Sequence, residues 1–287
     1  MSLGRVAIFG PGLIGGSLAL ALKAGGSTAQ IRVWARRSET LEDLRKLGFE
    51  HVSQSIKEIA SETDLAIICT PVTHIREMGD ELLKALPGTA VVTDAGSTKL
   101  AIVEKLGAIF GKRFVGSHPM AGSEHSGLSA ARSDLFQNSV CLITPQQDAD
   151  AEVIRAVEAL WKAVGCRITK IGAADHDRLM ARISHVPHIT ASALVNLVCA
   201  TDASEQNYAG GGYRDTTRVA SGSPDLWTEI LMDNSHEVSD AIKILIAELE
   251  DVLGALKRQD ATALHTILKK AKTVRDLYVG NQADYDV

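Results

Sequence analysis

The residues able to do chemistry in this chain fall into three groups. The first is Gly10-Pro11-Gly12-Leu13-Ile14-Gly15, which follows the apolar run Val6 to Phe9 and opens an apolar stretch from Ser17 to Leu22. At G-x-G-x-x-G spacing each glycine has a mechanical use. Gly10 permits a tight turn, Gly12 lets a pyrophosphate approach the backbone, and Gly15 lets helix and strand pack closely. The unpaired N–H groups of the new helix then face the phosphates, and its dipole favours their charge. A ligand-free glycine turn is the alternative, but the preceding strand and following helix favour a dinucleotide site.

The second group is Ser117-His118-Pro119-Met120-Ala121-Gly122. Oxidising an alcohol by hydride transfer needs a base for the hydroxyl proton, and imidazole titrates near working pH. His118 is the candidate base, and Ser97, in Asp94-Ala95-Gly96-Ser97, is placed to orient it or to share its bond to substrate. The third group is Ser184-His185-Val186-Pro187-His188 with Gly210-Gly211-Gly212-Tyr213-Arg214-Asp215-Thr216-Thr217-Arg218. The H-x-x-H pair has no third ligand at a useful spacing, so no metal is expected. Arg218 suits a substrate carboxylate, because its donors match the two oxygens; a surface salt bridge is the bland alternative.

The cofactor's adenosine end has its own signal. A ribose-binding acid is expected about 20 residues after the glycine turn. Ala35-Arg36-Arg37-Ser38 stands there instead, with no acid before Glu39. Guanidinium groups suit a 2′-phosphate and a carboxylate repels one. Arg36 and Arg37 therefore favour NADP, with NAD the second candidate.

Elements must position these groups. Strand-like runs at Val6–Phe9, Ile31–Trp34, Leu65–Ile68, Ala90–Thr93, Arg113–Gly116 and Val140–Ile143 alternate with amphipathic stretches such as 41–47 and 75–86. That alternation predicts an α/β fold, a doubly wound, mostly parallel sheet with ligands beyond the carboxyl ends of its strands. Cys69-Thr70-Pro71, Asp94–Ser97 and Ser117–Pro119 each follow a predicted strand, so Cys69, Thr70 and Pro71 join the cofactor site. A helix near 149–164 and a strand near 166–171 come next, and from about Ala173 the periodicity is helical. The reading is thus a Rossmann-like domain, 1–172, and an all-helical domain, 173–287. Val238, Ile242, Leu245, Leu249, Val252 and Leu256 make one long apolar face, and Leu264, Ile267, Leu268, Ala271 and Val274 another, suited to folding back or to a second copy.

Bulk properties agree with a globular enzyme. The 287 residues are 45% hydrophobic and 23% charged, and the net charge of −5 argues against nucleic acid as a main partner. No apolar run approaches the roughly 20 residues that span a bilayer, so no membrane role is expected. The 4 cysteines are scattered without C-x-x-C pairing, which suggests reduced structural thiols and a cytoplasmic protein.

In this order and spacing the motifs resemble the prephenate/arogenate (cyclohexadienyl) dehydrogenase family of tyrosine biosynthesis, along essentially the whole chain. The resemblance rests on the glycine turn, Ile68–Pro71, Asp94-Ala95-Gly96-Ser97-Thr98-Lys99 and Gly116-Ser117-His118-Pro119-Met120-Ala121-Gly122-Ser123-Glu124. It continues through Asp175-His176-Asp177, Ser184–His188, Gly211–Asp215 with Thr217-Arg218, and Pro224-Asp225-Leu226-Trp227. It implies a homodimer associated through the helical domain. It also implies oxidation of a cyclohexadienol with loss of its ring carboxylate as carbon dioxide, driven by aromatisation. By resemblance His118 takes the hydroxyl proton with Ser97 as partner, and Arg218 holds a carboxylate. Ser184, His188 and Ser123 contact substrate, and Glu124 and Arg214 form opposed charges at the pocket mouth. Prephenate is favoured over arogenate, since no acid is placed to meet an amino group, and oxidation of arogenate to tyrosine as well stays open. Two other readings stay open: a β-hydroxyacid dehydrogenase or imine reductase, with a lysine or no histidine at the nicotinamide, and a non-catalytic dinucleotide sensor.

Overall fold

Short β-branched runs separated by amphipathic helices build a parallel sheet. The computed structural model describes residues 3–27, 29–123, 125–200 and 203–283. Its strands β1 (Arg5–Phe9), β2 (Gln30–Trp34), β3 (His51–Ser53), β4 (Leu65–Ile68) and β5 (Val91–Asp94) are all parallel, in the order β3-β2-β1-β4-β5. Helices α1 (Leu13–Ala24), α2 (Ser38–Lys46), α3 (Ile56–Ala60), α4 (Val72–Ala85) and α5 (Leu100–Phe110) link and follow them. A parallel sheet covered on both sides needs strands apolar at every position. Accordingly Ile8, Val33 and Ile67 pack into one core with Leu18, Leu22 and Trp161, while Phe9 and Ile68 face a second with Ile75, Leu82 and Phe114. The strand order reverses between β1 and β4, which opens a crevice beyond their carboxyl ends. Gly10 and Cys69 are the first residues past those ends.

The next strand differs from the sequence expectation. Arg113–Gly116 is not a strand: Gly111–Arg113 is a 3₁₀ turn, Phe114 makes one bridge to Val92, and β6 is Gly116–Pro119. β6 pairs antiparallel with β7 (Val140–Thr144), which pairs parallel with β8 (Arg167–Lys170). His118 therefore sits within a strand rather than beyond one. Side-chain bonds override the low β propensity of Gly-Ser-His-Pro. The buried Ser117 hydroxyl donates to the Asp94 carbonyl and accepts from Trp161 Nε1 at 2.9 Å, and Ser117 N–H donates to Asp94 Oδ1 at 3.1 Å. At Gly116 a Cβ would stand 2.4 Å from Thr144 Oγ1, so only glycine lets the strand lie this close.

After α6 (Ala151–Ala163) and β8 the chain is helical: α7 (Ala173–Met180), α8 (Val186–Cys199), α9 (Gly211–Thr217), α10 (Pro224–Asp233), α11 (Ser235–Lys257) and α12 (Ala261–Ala283). A π-helical turn, Ala181–His185, joins α7 to α8. Pro187 lacks an N–H and its ring crowds the carbonyl four residues back, and the wider turn absorbs that conflict. In its packing the chain forms two compact units, Met1–Val238 and Ser239–Val287, so the first helices after 172 pack with the sheet. The reason lies in polar bonds that tie α7 and α10 to the sheet domain. Asp233 accepts from Thr98 Oγ1 and from Arg76 Nη1, each at 2.6 Å, and Glu229 accepts from Thr73 Oγ1 at 2.8 Å. No described helix is long and apolar enough to cross a membrane.

Candidate active site

Gly10 has φ +99°, and a Cβ there would stand 3.0 Å from the Cys69 carbonyl carbon and the Thr70 nitrogen. A Cβ on Gly15 would lie 2.3 Å from the Gly10 carbonyl oxygen, so helix α1 and the turn touch backbone to backbone. Gly12 is the opposite case, with nothing within 4 Å of where its Cβ would be. The open space over Gly12 lies in a cleft of about 520 Å³, with Gly10, Pro11, Trp34, Arg36, Arg37 and Thr40 among its walls. Both arginines are exposed on this wall, and Arg37 immediately precedes α2. Two carboxylates with no motif to mark them, Glu77 and Glu81 of α4, line the same cleft. These residues fit a dinucleotide: open backbone at the helix start, and cations where the adenosine ribose is expected.

A second cleft of about 570 Å³ shares Gly12, Cys69, Thr70, Pro71 and Gly127 with the first. Leu13, Ile14, Ser97, His118, Ser123, Ser184, His185 and Trp227 are among its lining residues. Strand β6 thus delivers His118 to a cleft continuous with the dinucleotide groove. Cys69 is half-buried beside it, and burial pushes its thiol well up, so it is packing rather than a nucleophile.

His118 is embedded in a buried polar cluster. Its Nδ1 lies 2.9 Å from His176 Nε2, and His176 Nδ1 lies 2.7 Å from Asp177 Oδ1. Asp177 also accepts the N–H of Lys99 at 2.7 Å and of Leu100 at 2.8 Å, capping α5 from α7. The Lys99 ammonium is fully buried and paired with Asp94. Desolvation holds His118 well below the ordinary imidazole range, reinforced by His176, Lys99 and His185. Burial also lowers His176, partly offset by Asp177, and lowers His185 to about 4. The cleft therefore presents a neutral histidine, able to accept a proton, next to a groove shaped for a dinucleotide.

Residues 18–170 match the family described as "Prephenate dehydrogenase, nucleotide-binding domain", and residues 172–270 match "Prephenate dehydrogenase, dimerization domain". The chain belongs to the prephenate dehydrogenase family. The prephenate dehydrogenase of Bacillus subtilis is 34% identical over 94% of this chain and 75% of its own length. The cyclohexadienyl dehydrogenase of Zymomonas mobilis is 29% identical over 99% and 98%. A crystal structure of prephenate dehydrogenase from A. aeolicus, in complex with hydroxyphenyl propionate and NAD+, superposes with TM-score 0.91 at 31% identity, covering 97% of this chain and 99% of that one.

In this family member the structure gathers Leu13, Ile14, Cys69, Thr70, Pro71, Ser97, Ser123, Ser184 and His118 around one cleft. It departs from the sequence expectations at four residues. The Nδ1 partner of His118 is His176, not Ser97, because docking α7 against α5 brings His176 underneath β6. His188 does not line the cleft; it stacks on Trp227 at 3.7 Å and 10°, and Trp227 forms the wall in its place. Arg218 and Arg214 are exposed and outside the cleft lining, Arg218 on the turn Arg218–Ser221 that leads into the lining residue Ser223. Glu124 lies outside the described residues. His185 and His188 both pack against Trp227, the first edge-on and the second stacked. His176, Asp177, Lys99 and Trp227 were visible as motif residues, but their roles depend on a docking between helices that sequence spacing does not express.

Proposed function

We propose that this protein catalyses the oxidative decarboxylation of prephenate to 4-hydroxyphenylpyruvate in tyrosine biosynthesis, with a nicotinamide dinucleotide as oxidant. The observation that carries the reading is a neutral, half-buried His118 on a cleft continuous with the groove over Gly12. Gly10, Gly12 and Gly15 shape that groove, and Leu13, Ile14, Cys69, Thr70 and Pro71 continue it toward the reacting end. When bound, the oxidised dinucleotide supplies the two-electron acceptor.

His118 accepts the ring hydroxyl proton as the carbinol carbon is oxidised, and Ser97 shares the bond to that hydroxyl. Aromatisation drives loss of carbon dioxide, so the protein must orient the substrate without over-stabilising the departing carboxylate. Ser184 and Ser123 offer neutral hydroxyls for this purpose. Arg218, outside the cleft lining in this chain alone, is assigned to substrate charge by the family resemblance: Arg218→Ala should raise substrate KM by about 10- to 100-fold, the cost of one charge-assisted bond, with cofactor KM unchanged. An unchanged substrate KM would return Arg218 to the scaffold.

Arg36 and Arg37 favour NADP over NAD, and the missing acid at the ribose position supports this. The enzyme works as a homodimer through its helical domain. Its free cysteines suit the reducing cytoplasm. Assaying purified protein with prephenate and with arogenate, each with NAD+ and NADP+, tests the reading. Turnover of neither substrate would overturn it, in favour of a dinucleotide sensor.

A further inference from the structure

We infer that His176, anchored by Asp177, is a positioning residue for His118: it fixes the one imidazole tautomer that leaves His118 Nε2 free to accept a proton. The inference rests on His118 being the base of the reaction proposed above. It follows from a chain of hydrogen bonds that runs from the start of α5 to the cleft, read with the charge state of each member. Asp177 Oδ1 accepts the amide N–H of Lys99 at 2.7 Å, and Oδ2 accepts that of Leu100 at 2.8 Å. Two amide donors favour the charged carboxylate, and against the opposing effect of burial they help hold Asp177 below its ordinary range, so it is ionised. His176 Nδ1, 2.7 Å from Oδ1, must therefore carry the proton.

A neutral imidazole has one N–H, which leaves His176 Nε2 with a lone pair. The fully buried ring is neutral because desolvation, with Lys99 adding to it, outweighs the pull of Asp177 and Asp94 toward the charged form. His118 Nδ1, 2.9 Å from that lone pair, must be the donor. The other nitrogen, Nε2, is left unprotonated on the residue that lines the cleft. When Nε2 takes the substrate's hydroxyl proton, His118 becomes an imidazolium. Its Nδ1–H bond to His176 then becomes charge-assisted, and ionised Asp177 one ring away offsets the charge. Asp177 also caps α5, so the same carboxylate joins helix placement to the protonation state of the base.

The test is nitrogen NMR of protein labelled with ¹⁵N-histidine, the His118 signals identified by their loss in His118→Asn. At pH 7.5 the wild type should show a protonated, pyrrole-like Nδ1 and a pyridine-like Nε2 at His118. In His176→Leu that preference should vanish. The rate of cofactor reduction in a single turnover should fall about 10- to 100-fold in His176→Leu, with substrate KM within about threefold of wild type, as for a group acting through the base. Cofactor binding, followed by fluorescence, should be unchanged. His176→Gln, whose amide oxygen can accept from His118 while its NH₂ donates to Asp177, should recover most of the rate. A protonated Nε2 on His118 in the wild type, or a folded His176→Leu with undiminished single-turnover rate, would overturn the inference. If His176→Leu does not fold, the wild-type ring spectrum alone decides. A wild type inactive on both cyclohexadienols would sink the reaction reading, and the spectrum would still report whether His176 sets the tautomer.

Discussion

A base must meet its substrate unprotonated, and His118 does so because of where it sits. Desolvation, with His176, Lys99 and His185 around it, disfavours the imidazolium, so the group stays neutral well below pH 6.5. The single-turnover rate should accordingly hold as pH falls through 6.5 and decline only where His118 finally protonates. An acid limb at or above 6.5, measured at constant ionic strength, would contradict this placement. His118→Asn should cut the rate by about 10²–10⁴-fold, the usual contribution of a general base, and leave cofactor affinity largely intact. At the other end of the groove, Arg36→Asp removes a phosphate donor and offers acceptors to a free ribose. NADP affinity should then drop about ten- to a hundredfold and preference should reverse. Because Glu77 and Glu81 share that cleft, the net field there is mixed, and the exchange isolates what Arg36 itself contributes. A wild type that prefers NAD+ outright would make both arginines surface residues.

Elements carry a second pH dependence, in stability. His176 on α7, His185 in the π-helical turn and His188 on α8 are all buried, and burial lowers each of them. Their folded values lie below the unfolded one near 6.5, so as pH falls the unfolded chain binds protons first. The penalty is absent above 6.5, grows between 6.5 and about 4 for His185, and is complete below. His185 alone should lower stability by about 2 kcal/mol between pH 8 and pH 5. Asp177 is lowered as well, and the stability it contributes is lost only as pH falls below 3.8, outside this window. Urea unfolding at pH 8, 6.5 and 5 measures the loss, and a midpoint independent of pH would refute it. The same elements show what a sequence displays. Strands β1, β4 and β7 were legible because a parallel or central strand is apolar throughout, and the glycine turn because its geometry admits few other residues. β3, three residues at a sheet edge, has too little pattern to see. β6 was misplaced by three residues because bonds to Asp94 and Trp161, not propensity, hold it. The pairing of His118 with His176 spans 58 residues and exists only once α7 docks on α5, so the motif could be noticed but not its geometry.

At the scale of the whole molecule the open question is what covers the long C-terminal helices. In the unit Ser239–Val287, Ile244, Ile246, Leu249, Leu253 and Leu256 of α11 and Leu268, Val274 and Leu277 of α12 are all exposed by 48% or more. Val238, Ala241 and Ala255 are buried, so α11 is apolar on more than the one face its own chain covers. Two helices cannot bury apolar stripes on several sides by themselves, and a monomeric soluble protein rarely leaves so many large aliphatic side chains uncovered. A second copy presenting the same face satisfies both, since a two-fold interface is self-complementary. Stable dimers bury about 1,200–2,000 Å² or more, an area that two long helices per subunit can supply. Light scattering should therefore give a dimer at micromolar concentration. Leu249→Glu with Leu253→Glu would place carboxylates on the exposed stripe. Removing an unpaired charge from water costs several kcal/mol, so the dissociation constant should rise by at least about a hundredfold. The variant should keep its helical circular dichroism and sediment as a monomer at about 1 μM, where the wild type stays dimeric. A wild type that is monomeric there, or a double variant that dimerises as well as the wild type, would mean these stripes fold against something other than a second copy.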